Sequence, residues 1–145
     1  MTTAEHLETI DRLRAQGFPP EPAVSGDQSS GPGYRLVQLS RTRDFWDDDG
    51  AGREEAADQI SAEYGALTQA LTDRWGPPQV FGLASLLDRG FDGEEIPEPW
   101  NELCNTTDHV HLWRVEEQWL LMCVAQWDKE FPFMLLAGVT VVDPP

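Results

Sequence analysis

Two histidines, His109 and His111, stand beside Asp108 at the start of an apolar run. On a strand, residues i and i+2 point to one face, so the pair could present two imidazoles to a metal ion. Zinc or iron would need at least one further protein ligand, and His6 lies far away in a helical pattern. A metal-dependent enzyme built on His109 and His111 is therefore an alternative reading, and no cofactor is expected. The triplet Asp47-Asp48-Asp49 before Gly50 has the composition of a calcium loop. It lacks the alternating ligand positions and terminal glutamate, and reads better as a solvated turn leading into a helix.

Nucleophilic chemistry finds little support. Cys104 falls in a polar turn and Cys123 inside an apolar strand, neither in a histidine setting, and both are expected to be reduced. Glu54, Glu55, Asp58 and Glu63 could supply a carboxylate pair, but in so acidic a helix they read as its wet face. The chain contains no G-x-S-x-G elbow and no glycine-rich phosphate cradle. An enzyme is not expected.

Recognition is the better-supported class. Trp46 precedes the Asp triplet, and Trp100 follows the proline-stiffened stretch Glu94-Glu95-Ile96-Pro97-Glu98-Pro99. A large aromatic within a rim of charge suits an interface anchor. The expected partner-binding residues are Trp46, Asp47, Asp48, Asp49, Asp92, Glu94, Glu95, Glu98 and Trp100. The competing reading folds both indoles down onto the sheet.

The elements that must position these residues follow from periodicity. Thr2 and Glu5 have capping-box spacing, and Leu7, Ile10 and Leu13 recur at helical intervals until Gly17. Residues 19–33, rich in Pro, Gly and Ser, read as a flexible linker. A short strand is expected over 34–39, with Arg35, Val37 and Leu39 on one face and Tyr34, Leu36 and Gln38 on the other. Ile60, Tyr64, Leu67, Leu71 and Trp75 form one helical stripe, stopped by Gly76-Pro77-Pro78. A strand or extended segment is expected over 80–87, then a long acidic loop over 88–108. Three strands, 109–115, 118–127 and 133–142, close the chain as a meander.

The fold class is therefore α+β within a single domain spanning 1–145. It comprises a mostly antiparallel sheet of about five strands ending in a three-stranded meander, with two helices packed on one face. The middle strand of the meander is apolar on both sides: Trp119, Leu121, Cys123 and Ala125 against Leu120, Met122 and Val124. Both faces of the sheet must then be covered. The two helices serve one face. The other falls to Phe91, Ile96, Trp100 and Leu103 of the 88–108 loop, or to a second copy forming a homodimer through a sheet face.

Charge sets the function class. The 145 residues carry a formal charge of −16, and residues 47–108 hold fifteen acids against three bases. Such a field repels nucleic acid and anionic membranes and attracts basic proteins. No apolar run approaches membrane-spanning length, and the N-terminus has no signal-peptide pattern, so a cytoplasmic location is expected. In size, charge and α+β class the chain resembles the small acidic immunity proteins of bacterial toxin systems. That resemblance implies an immunity or antitoxin-type inhibitor of a basic protein partner. The alternatives are a dimeric secretion or assembly chaperone and a ligand-binding domain with a pocket under the acidic loop.

Overall fold

The computed structural model describes residues 2–45 and 50–145. Its elements run α1 (Thr3–Ala15), β1 (Ala23–Ser25), β2 (Gln28–Gly31), β3 (Tyr34–Arg41), α2 (Ala51–Trp75), β4 (Gln79–Gly82), α3 (Ala84–Phe91), α4 (Trp100–Cys104), β5 (His109–Val115), β6 (Gln118–Ala125) and β7 (Met134–Thr140). The strands form one antiparallel sheet in the order β1-β2-β3-β7-β6-β5-β4.

The α+β class, the closing meander and the two helices on one face are as the sequence reads. The sheet has seven strands rather than about five. Both additional strands come from residues 19–33, which are not a linker: Ala23–Ser25 and Gln28–Gly31 pair as a hairpin, and β2 docks on β3. Gly26, with φ of 59°, makes the turn in a conformation that glycine adopts without steric cost. The polar composition hid the hairpin because β1 is exposed along its whole length and carries no apolar alternation.

The helix stripe reads correctly. Ile60, Leu67 and Leu71 are buried and Tyr64 and Trp75 half-buried, over a core that α1 completes with Ile10 and Leu13. Thr2 caps α1, its hydroxyl accepting from the Glu5 N–H at 3.2 Å. On this face of the sheet lie Val37, Leu39, Trp113, Val115, Leu120, Met122 and Val139. A register shift between Gln38 and Ser40 interrupts the strict alternation of β3. The bulge leaves Leu39 in the core while Ser40 donates to Glu63 of α2 at 3.2 Å.

The opposite face is covered from within the same chain. Leu83, Leu86, Ile96, Trp100 and Leu103 pack on Leu36, Val110, Leu112, Leu121, Cys123 and Leu136. Residues 88–108 are thus not simply a loop: they contain the end of α3 and all of α4. The extended segment expected over 80–87 ends at Gly82, where α3 begins its approach. Within the sheet, β7 runs close to β3 at Gly138, where a Cβ would come within 2.8 Å of the Arg35 carbonyl oxygen. Among the described residues no helix is long and apolar enough to cross a membrane.

Candidate functional site

The α3–α4 layer carries most of the acids of residues 88–108 on one side of the sheet, while those of α2 lie on the opposite side. Between 88 and 108 the chain carries seven acids, Asp88, Asp92, Glu94, Glu95, Glu98, Glu102 and Asp108, and one base, Arg89. That base is engaged in an ion pair with Glu94. Asp92, Glu94 and Glu95 are exposed, and Glu98 is half-buried. The Glu98 carboxylate is held in place by accepting from the Glu102 N–H at 3.2 Å and the Asn101 Nδ2 at 3.1 Å. Trp46, Asp47, Asp48 and Asp49 lie outside the described residues.

Trp100 and Phe91 exchange the roles expected of them. Trp100 is 0% exposed, its Nε1–H donating to the Val142 carbonyl oxygen at 3.1 Å and its ring set edge-on to Phe81. It is a core residue in this structure, not a surface anchor, because the sheet face beneath it is apolar. Phe91, expected to help cover the sheet, is instead 79% exposed. It stands at the C-terminal end of α3, beside a depression that Leu87, Glu94, Asn101 and Asn105 also line. Position in the helical repeat was the available signal: Leu86 faces the core, and Phe91, five residues on, falls off that stripe.

No protein-family model matches this chain, and no similarity was found to a curated protein or a solved structure.

The histidine pair is placed on the α1–α2 side of β5. The rings of His109 and His111 lie 6.0 Å apart between centroids. His109 Nδ1 is 2.6 Å from an Asp108 carboxylate oxygen, while His111 Nδ1 is 2.8 Å from the Tyr64 hydroxyl and stacks on that ring. Burial lowers the pKa of His111, with a smaller contribution from His109. Burial likewise raises that of Tyr64. Both shifts favour a neutral pair in which the hydroxyl donates to the imidazole. His6 is on α1, and among the described residues no group of three His, Cys, Asp or Glu side chains is placed to hold a metal ion.

Both cysteines are unpaired and buried. Burial, with a smaller contribution from the Glu102 charge, pushes the Cys123 thiol up to about 12, and burial also raises Cys104. Neither environment generates a thiolate at neutral pH.

Proposed function

We propose that this protein is an acidic binding protein of the cytoplasm that docks on a basic protein partner and neutralises it, as an immunity or antitoxin protein does. The observation that supports this reading is the α3–α4 layer. It is a preordered surface, fastened by Ile96, Trp100 and Leu103, that carries an exposed phenylalanine, the exposed acids Asp88, Asp92, Glu94 and Glu95, and a single, already paired base. The charge steers a basic protein into encounter, and an aromatic within a polar rim supplies the apolar contact that holds it. Because the layer is ordered beforehand, docking forfeits less conformational entropy. Toxins that act on nucleic acid present basic surfaces of the complementary sign.

The chaperone alternative drew on strands that are apolar on both sides. Both covers are found within one chain, so that feature gives no support to a second copy. The proposal is tested by capture on the tagged protein, washed at low and then high salt. A basic protein should be retained at low salt and released as salt rises. Reversing two exposed charges, Asp92→Lys with Glu95→Lys, should weaken its binding by roughly tenfold, chiefly through slower association. Capture of no basic protein, or equal binding by the reversed variant, would refute the reading.

A further inference from the structure

A second feature of the acidic side lies at its junction with the β1–β2 hairpin. Here α4, β2, β3, β7 and the segment after β6 enclose a cleft of about 160 Å³. Its floor is apolar: Leu36, Met134 and Leu136. The pairing explains why these groups share one face. Val24 pairs with Ser29, Ser29 with Leu36, and Leu36 with Gly138, so the hairpin extends the inner face of the sheet beyond the edge that α4 covers. Trp127, 55% exposed, lines the cleft.

The polar groups are unevenly signed. Among the lining residues the ionisable side chains are Asp27 and Glu102, with no Lys or Arg. Glu102 is half-buried and makes no ion pair with any described residue. The nearby Ser29 side chain favours its charged form, whereas the neighbouring Glu98 carboxylate repels it. A partly desolvated carboxylate beside a second carboxylate is under-compensated, and a bound cation would relieve it. An ammonium or guanidinium group would also gain from the Trp127 face. The apolar floor would accept the carbon stem that carries it. The volume is below that of pockets enclosing drug-sized ligands, which restricts the ligand to a small molecule.

We infer that this cleft is a binding site for a small free organic cation, an amine or guanidine on a short apolar stem, seated between Glu102 and the Leu36–Met134–Leu136 floor. The inference does not depend on a basic protein partner, since the cleft lies between α4 and the hairpin and not at Phe91.

The test is an NMR titration of the full chain with phenethylamine and, separately, the uncharged 2-phenylethanol. It reads the Trp127 indole N–H and the Met134 methyl in 150 mM NaCl at pH 7, where long-range attraction is largely screened. The amine should shift both signals and bind about tenfold more tightly than the alcohol, as expected for a charge-assisted contact. In Glu102→Gln, which keeps the shape and the Ser29 contact, the preference should vanish. Equal binding of amine and alcohol, absence of shifts at Trp127 and Met134, or charge selectivity that survives Glu102→Gln would each overturn the inference. The comparison of two ligands on the unaltered chain holds even if the variant folds poorly.

Discussion

At the scale of single residues, Glu102 is the group whose environment departs most usefully from water. Burial, followed by the repulsion of Glu98, raises its pKa above the ordinary value of 4.5, and the nearby Ser29 side chain only partly offsets them. A carboxyl with a raised folded-state pKa holds its proton more tightly in the native than in the unfolded chain. Its contribution to stability is therefore complete below 4.5 and is lost as pH rises through the higher folded value. Glu102→Gln removes this titration. The melting temperature of Glu102→Gln relative to the natural chain should rise as pH is taken from 4.5 towards neutrality and then level off. Thermal melts of both proteins across that range measure it. A difference that is flat, or that falls with pH, would show that the carboxylate is better compensated than its neighbours indicate.

At the scale of elements, the two aromatic residues of the α3–α4 layer make opposite demands. Trp100 fills the space between α4 and the sheet and satisfies the Val142 carbonyl, whereas Phe91 projects into solvent. Trp100→Phe should lower the unfolding free energy by about 1–3 kcal/mol, through a lost hydrogen bond and a partly emptied site. Phe91→Ser should change it by no more than about 0.5 kcal/mol, as for an ordinary surface position. Urea unfolding of the two variants checks both, and equal losses would contradict the placement of these rings. The contrast also shows what could be read from sequence. α2 and the meander were legible because Ile60 to Trp75 repeats at helical spacing and β6 is apolar on both sides, a pattern that leaves one packing solution. The hairpin of 23–31 was not, because its strands are short and polar and its order comes from pairing with β3. α4 was hidden for a related reason. Five helical residues between prolines and a polar turn hold too little periodicity to register, and packing of Trp100 and Leu103 supplies what propensity does not. The candidate surface was legible as charge, which composition reports directly. Which aromatic would emerge from it was not, since that depends on the tertiary cover.

At the scale of the whole molecule, charge opposes the fold that carries it. With 26 acids and 10 bases, most carboxylates have no cation to pair with, and several of the bases already sit in surface pairs: Arg74 with Asp11, Arg89 with Glu94, Arg14 with Glu116 and Arg114 with Asp143. Exposed pairs of this kind contribute about 0–1 kcal/mol each and weaken as salt is added. Repulsion among the remaining acids is also screened by salt, over a distance of about 10 Å at 0.1 M, and it involves many more charges. The balance of these two effects decides the sign. Because uncompensated acids outnumber paired ones, raising sodium chloride from 10 to roughly 300 mM should increase the melting temperature. The increase should be smaller in the Asp92→Lys, Glu95→Lys variant, whose net charge is closer to zero and whose α3–α4 layer is less crowded with like charge. That variant should also be the more stable of the two at low salt and lose its advantage as salt rises, which calorimetry in the two buffers would record. If salt instead lowers the melting temperature of the natural chain, the surface pairs outweigh the repulsion. The acidic face would then be electrostatically settled on its own rather than held ready for a basic partner.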